Sequence, residues 1–446
     1  MSTDLAQASG RPSRVDVGTF LRGVLFVAAY SYSWITLYPF PDLSDPIVLQ
    51  PAKSLGLINQ SVAVILGILS ISFIYSHDWR RLKPIFSPLF IAAMLWCGFS
   101  GLLSPHADIA IRRYVLTLII MTIAAATLLL PRDERHFGGL IAAATLLVLF
   151  VCYAGVVLFP LRSVHQFMDL NEPQLAGAWR GSFTHKNDAG SAMAMIALLG
   201  LYVARTRNLV VGGFIVGASL VFLCFSLSKT SIALLPVVLL MTSAVTAMRG
   251  APARGLLVIG GLVLFNVFTI GSAFSTPISD FLASLGFDSS YTQRNDVWRF
   301  AVAQLALRPL TGQGFQAFWR MNDVIYNGGG TETWAIQSPD GHNDYLDLAL
   351  TIGVPGLILV VLWLVVSPIG DIGRGLRTGN DPALTALFIQ LWLFGIFRGC
   401  LETAFFTGGS PHWFMMSVAI FGLRLQGSSA LIPNLTKNGK NTGRDR

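Results

Sequence analysis

The sequence predicts an all-α, polytopic membrane protein of about twelve transmembrane helices, with a large periplasmic loop between the ninth and tenth. Two compositional facts and one pattern predict it. Charged residues make up only 12% of the 446-residue chain, against roughly 25% in soluble domains. Mean hydropathy is +0.61. The apolar residues also fall in separate blocks of roughly 17–25 residues, the length that crosses a bilayer, rather than being interleaved with polar faces.

The expected spans lie near 19–38, 55–75, 85–104, 114–130, 139–160, 189–205, 210–228, 231–248, 255–274, 344–367, 383–405 and 411–426. They divide the chain into an N-terminal tail (1–18), nine helices (19–274), the large loop (275–343), three helices (344–426) and a basic tail (427–446). The first apolar run ends in Tyr30, Tyr32, Trp34 and Tyr38, an interfacial aromatic belt rather than a cleavage site. The four cysteines, Cys97, Cys152, Cys224 and Cys400, all fall inside expected spans and read as buried apolar residues.

Orientation follows from the basic residues. Arg11 and Arg14, then Arg80, Arg81 and Lys83, then Arg132 and Arg135, fall in alternate connections. So do Arg205 and Arg207, Arg249 and Arg254, and Arg374 and Arg377, and the tail from Lys437 to Arg446 completes the set. The positive-inside rule then puts both termini in the cytoplasm. It also accounts for the net charge of +8 without nucleic acid, for which the chain has neither a basic helix face nor an aromatic-basic platform.

Three outer regions stand out: about 161–188, the tight turn at Ser228–Thr230, and 275–343. Long loops of this kind are usually functional. In the third, Ser290 and Gln293 have capping-box spacing, Trp298, Val302 and Leu305 follow at helical spacing, and Pro309, Gly312 and Gly314 end the element. This predicts an amphipathic helix against the membrane or the bundle.

Several polar residues in these regions are candidates for chemistry. Arg294 lies in the first turn of the loop helix, one face with Trp298, and suits an anion such as phosphate. It could equally be solvated or pair with Asp296 or Asp288. His342, within Ser338-Pro339-Asp340-Gly341-His342-Asn343-Asp344, suits a proton acceptor. The same cluster could bind a divalent cation through Asp340 and Asp344, or simply cap the next helix through Asn343 or Asp344. Gly353-Val354-Pro355-Gly356, about three turns further on, reads as a packing kink made by Pro355 or as a groove for a lipid tail. Lys229 either snorkels or faces a site that needs positive charge. Arg112 and Arg113, on the outer side, suit anionic headgroups. Arg398 and Glu402, spaced i,i+4, read as an ion pair with each other. His185, Lys186 and Asn187 precede the sixth span, with Asn187 or Asp188 as its cap.

Together these features resemble the O-antigen ligase/polymerase (Wzy_C) family. The match is carried by His342-Asn343, nine residues, then Gly353-Val354-Pro355-Gly356, and by Arg294 four residues before Trp298. Gly181-Ser182-Phe183-Thr184-His185-Lys186-Asn187 resembles a stretch of the exopolysaccharide-polymerase (ExoQ-like) members. Lys229 stands where ligases of the family commonly carry arginine, and it lacks the bidentate fork for phosphate. With the His-Lys-Asn stretch, this points to a polymerase.

The resemblance implies a glycosyltransferase in the bacterial inner membrane, taking undecaprenyl-diphosphate-linked glycan at the periplasmic face. Arg294 and His342 would be catalytic. Lys229, Asn343, Trp298, His185, Lys186, Asn187, Arg112 and Arg113 would contact substrate, and Gly353, Pro355 and Gly356 would be structural. No cofactor or metal is expected, since arginine and lysine supply the charge. Membrane lipids surround the chain, and chain-length-regulating or export proteins are possible partners. The alternatives are an O-antigen ligase transferring to a lipid A core, a secondary transporter, and a non-catalytic assembly scaffold.

Overall fold

The computed structural model describes residues 17–428, apart from 36, 46–52, 78, 171, 287–290, 292–293, 322–323, 326–333 and 378–380. The side chains of Arg11, Arg14 and Lys437–Arg446, and the expected capping box at Ser290 and Gln293, lie outside the described residues, as does Asp288.

The described chain is helical, with a single isolated bridge between Val164 and Trp179. In order come α1 (Val17–Trp34), α2 (Lys53–Ser76), α3 (Pro88–Leu102), α4 (Ala107–Thr127), α5 (Glu134–Leu158), α6 (Lys186–Thr206), α7 (Leu209–Ser226), α8 (Lys229–Ala247) and α9 (Ala251–Thr269). The large loop contributes α10 (Thr276–Ser284) and α11 (Arg294–Leu307). Then follow α12 (Asp344–Val361), continued through a π-turn into α13 (Ser367–Gly375), α14 (Pro382–Arg398) and α15 (Pro411–Gly427).

Each of the twelve expected spans falls on a helix, and the fold is that of an all-α polytopic membrane protein. Among the described residues, eight helices are long and apolar enough to cross a membrane, or nine if Trp79–Ile85 and Pro88–Leu102, bent by 78°, count as one span. The expected twelve exceeds that figure for local reasons. Arg22 and a polar aromatic end dilute α1, and α14 and α15 are only 17 residues long.

Among those eight, helix α6 is the most deeply buried. Small residues let its neighbour approach: a Cβ at Gly212 of α7 would sit 2.2 Å from the Ala204 nitrogen of α6. Cys97, Cys152 and Cys400 are buried as expected, but Cys224 is exposed on the outer face of α7.

The Gly353–Gly356 motif is more than a simple proline kink. The helix is broken at Gly353 (φ 74°, ψ 171°), a conformation L-residues avoid. The loop segment 309–314 docks into the break. Gln313 and Gly314 donate their N–H groups to the carbonyls of Leu350 (2.8 Å) and Thr351 (2.9 Å), and Val354 donates to Pro309 (2.8 Å). Backbone groups that a straight helix would have paired are thereby satisfied by the loop.

Helix α11 lies against the bundle, as one of the two expected placements has it. Val297, Trp298, Phe300 and Ala301 pack with Phe318, Trp319, Leu346 and Leu350 in a small core of their own. At the opposite end of the bundle, Arg424 joins Asp371 (3.0 Å) to the Pro84 carbonyl (2.9 Å) and ties α15 to α13 and the α2–α3 connection.

Candidate active site

Four separated segments meet at one end of the bundle around Glu402. Arg294, at the start of α11, donates from Nη2 to Glu402 Oε1 (2.7 Å) and from Nη1 to the Leu401 carbonyl (2.6 Å). Asn187, in the first turn of α6, donates from Nδ2 to the same Oε1 (2.9 Å). His342 Nδ1 stands 3.6 Å from Glu402 Oε2 and 3.5 Å from Asp340 Oδ1.

The sequence reading of Glu402 is therefore corrected. Helix α14 ends at Arg398, so Glu402 lies beyond the helix and the i,i+4 rule does not reach it. Arg398 instead pairs with Asp188 of α6 (3.1 Å). Arg294 does not pair with Asp296 either, which is taken by Arg299 (3.2 Å).

Local structure fixes each partner. Asp344 accepts the N–H groups of Ala404 (2.8 Å) and Phe405 (2.7 Å), which holds the segment carrying Glu402 against the start of α12. Asn343 caps α12, accepting from Tyr345 and Leu346 (both 3.0 Å), and its amide reaches the Cys400 carbonyl (2.8 Å). His342 itself has φ of 48°, a left-handed turn uncommon for non-glycine residues, and its N–H bonds to Asp340 Oδ1 (2.8 Å). Trp298 donates its indole N–H to the Gly341 carbonyl (3.1 Å).

Two of the expected substrate contacts are buried in the frame of the site. Trp298 and Asn343 are both 0% exposed, and their polar groups hold the His342 turn and the start of α12. Asp344 and Asp340, the carboxylates of the divalent-cation reading, each accept backbone N–H groups. Among the described residues no group of three His, Cys, Asp or Glu is placed to hold a metal ion.

The His-Lys-Asn stretch lies beside the cluster. His185, not Asn187 or Asp188, caps α6: its Nδ1 accepts from the Asn187 N–H (3.1 Å), leaving Nε2 to donate to Glu172 (3.0 Å). Behind it, His165 Nδ1 donates to Asp169 (2.8 Å), and its Nε2 accepts from the Lys186 N–H (3.3 Å). The Lys186 ammonium reaches the Leu227 carbonyl (3.4 Å) and is close enough to Lys229 for the two charges to interact. Lys229 is exposed at the first turn of α8. Arg112 and Arg113 do not join this group. Arg112 is exposed on α4, and Arg113 donates to the Gln316 carbonyl.

The charges tune one another. Burial lowers the proton affinity of His342, but Asp340 and Glu402 outweigh it and raise its pKa above the ordinary 6.5. Burial alone would raise Glu402, yet Arg294 and His342 hold it well below the usual carboxylate range. The hydrogen bond from His185 likewise keeps Glu172 low. Burial pushes His165 down, consistent with a neutral ring.

Glu402, Glu172 and His165 were missed as site residues. For Glu402 a signal existed: an ionisable residue in a strongly apolar stretch is a functional candidate by default. Arg180 was also missed. It is 0% exposed, donates to the carbonyls of Pro41 (2.8 Å) and Phe183 (3.2 Å), and anchors the loop that leads to His185. Burial brings its pKa down to about 10.

Residues 192–361 match the family model described as O-antigen ligase. The chain is also similar to the exopolysaccharide production protein ExoQ of Rhizobium meliloti (strain 1021), at 27% identity over 270 residues. That alignment covers 56% of this chain and 57% of the relative, so the chain spans little more than half the length of the protein it matches. The match to the O-antigen ligase model and the likeness to ExoQ together support an O-antigen ligase/ExoQ-like family for this chain.

Proposed function

We propose that the protein is a membrane glycosyltransferase that polymerises undecaprenyl-diphosphate-linked glycan repeat units at the periplasmic face of the inner membrane. One observation carries the reading: Arg294 and His342 converge on one carboxylate, at the bundle end where Lys186 and Lys229 also lie. That end is opposite the connections rich in arginine, which supports a periplasmic site. The likeness to an exopolysaccharide production protein supports polymer formation.

The chemistry needs few parts. An acceptor sugar hydroxyl attacks the anomeric carbon of the donor glycan. A new C–O bond forms as the bond to the diphosphate breaks, and lipid diphosphate leaves with the electron pair. Negative charge grows on the leaving group, and Arg294, helped by Lys229 and Lys186, meets it. The hydroxyl proton passes to His342 in its neutral form. The cations already in place supply the charge that a metal would, so we propose a metal-independent reaction. Chain-length-regulating and export proteins would receive the product on the same face.

A second reading is the ligase, which the family description favours. The two differ in the acceptor: a growing lipid-linked chain or a lipid A core. The test is product size after incubating purified protein with a lipid-diphosphate repeat unit and no lipid A core. A product ladder that Arg294→Ala and His342→Ala both abolish is the expected result. No ladder from folded protein overturns the polymerase reading, and product formed only once a lipid A core is added establishes the ligase.

A further inference from the structure

We propose that Glu402 is a built-in surrogate anion: its carboxylate fills the place on Arg294 and beside His342 that a diphosphate takes, and donor binding exchanges one for the other. This rests on the reading of Arg294 as the leaving-group cation.

The donor set around the carboxylate is what a phosphate oxygen needs. Arg294 contributes Nη2 at 2.7 Å and Asn187 an amide N–H at 2.9 Å on one oxygen, with His342 Nδ1 at 3.6 Å from the other. Both terminal nitrogens of the guanidinium face residues 401 and 402, so the fork that grips a phosphate bidentately is occupied by this chain's own loop.

Burial makes some anion obligatory. The side chains of Arg294, His342 and Glu402 are only 15%, 19% and 11% exposed. A guanidinium so placed is costly without a counterion. The other nearby carboxylates serve other groups: Asp188 pairs with Arg398, Asp344 accepts from the backbone of Ala404 and Phe405, and Asp340 stands beside His342. Glu402 also sits on a connection rather than within a helix. The backbone around it is pinned at Ala404 and Phe405, so the exchange needs only side-chain rotation.

The arrangement is a charge filter. The surrounding bilayer offers many phosphodiester headgroups, each with one negative charge. Such a group exchanges charge for charge with Glu402 and gains little. A diphosphate brings more charge and more acceptor oxygens, and displaces the carboxylate. Glu402 therefore keeps the site clear of bulk lipid while admitting the lipid diphosphate.

The test uses the full chain in phosphatidylcholine nanodiscs, titrated calorimetrically with inorganic pyrophosphate. Glu402→Gln removes the competing charge and keeps the shape. It is expected to bind pyrophosphate about tenfold more tightly than wild type, and to lose that gain when anionic phosphatidylglycerol is included. Wild type should be indifferent to phosphatidylglycerol. Equal or weaker pyrophosphate binding by a Glu402→Gln protein with wild-type melting overturns the proposal, as does phosphatidylglycerol competing equally with both. If Glu402→Gln does not fold, Glu402→Asp, still charged but one methylene shorter, takes its place: tighter binding supports the exchange and unchanged binding overturns it. A working transferase with unchanged pyrophosphate affinity in these variants removes this role from Glu402 alone. No transfer product, with the affinity gain intact, keeps the exchange and removes the transferase reading.

Discussion

Glu402 Oε1 lies 2.7 Å from Arg294 Nη2, although 108 residues separate the two in the chain. The contact joins the large loop to the connection between α14 and α15. It also fixes the guanidinium at the end of α6, because Asn187 shares the same oxygen. An arginine held this way is already oriented before any substrate arrives, which is the condition for electrostatic catalysis.

The first prediction concerns that orientation. Arg294→Ala should lower single-turnover transfer by about 10²–10³-fold, the usual loss for one stabilising donor. Arg294→Lys keeps the charge but loses the fork, and should fall between the two. The check is the single-turnover rate at saturating donor. Equal rates for Arg294→Lys and wild type would show that charge alone suffices.

The second concerns pH. His342 must be neutral to accept a proton, and Asp340 and Glu402 raise its pKa above 6.5 against the effect of burial. The kcat/KM profile should therefore rise with pH through a value above 6.5. Removing the Glu402 charge lowers the histidine pKa, so in Glu402→Gln the rise should move to lower pH. An unmoved limb would mean that another group titrates.

Much of this was legible in the sequence, and the exceptions have physical causes. Apolar blocks specify helices because a bilayer leaves the backbone no other partner, so the helices fell where expected. Arg294, His342, His185, Lys186 and Asn187 stood out because charged and polar residues clustered at span ends are costly without a purpose. Glu402 was misassigned because i,i+4 spacing only implies contact while the helix continues, and here it ends at Arg398. The full burial of Trp298 and Asn343 was not legible, because spacing reports a face, not what covers it. Long-range contacts such as Arg398–Asp188 have no local signature at all.

Trp298 supplies the third prediction. Its indole is fully buried and donates to Gly341, next to His342. Trp298→Phe keeps most of the packing but leaves that carbonyl unpaired, at about 1–3 kcal/mol. The melting temperature should fall and kcat should drop more than KM changes, because the His342 turn loosens. A rise in KM with unchanged kcat would instead put Trp298 in contact with substrate.

The fourth addresses metal dependence. On the proposed reading, Arg294, Lys186 and Lys229 supply the positive charge that meets the leaving group, so transfer should persist in excess EDTA. The assay is product formation before and after chelation, with Mg²⁺ added back. Loss of activity that Mg²⁺ restores would show that a divalent ion shares the work.

The last prediction separates the two unusual residues of the α12 break. Pro355 is the obvious suspect, since proline removes a helical donor. The structure assigns the break to Gly353. Its φ of 74° and ψ of 171° are closed to other residues, and a Cβ there would lie 2.1 Å from the Leu310 carbonyl oxygen. The loop segment 309–314 approaches so closely only because position 353 has no side chain. Gly353→Ala must therefore expel that segment or straighten the helix. Straightening strands the N–H groups of Gln313 and Gly314, which now bond to Leu350 and Thr351. The cost should exceed about 3 kcal/mol, the sum of backbone strain and lost buried hydrogen bonds. Pro355→Ala restores an N–H whose helical acceptor, the Thr351 carbonyl, already receives Gly314 and Ser100. It should cost less than about 1 kcal/mol, within the range of substitutions that remove no key contact. Thermal melting of both variants in the same nanodiscs decides the matter. A larger loss for Pro355→Ala than for Gly353→Ala would return the break to proline and make the docked loop a consequence rather than a cause.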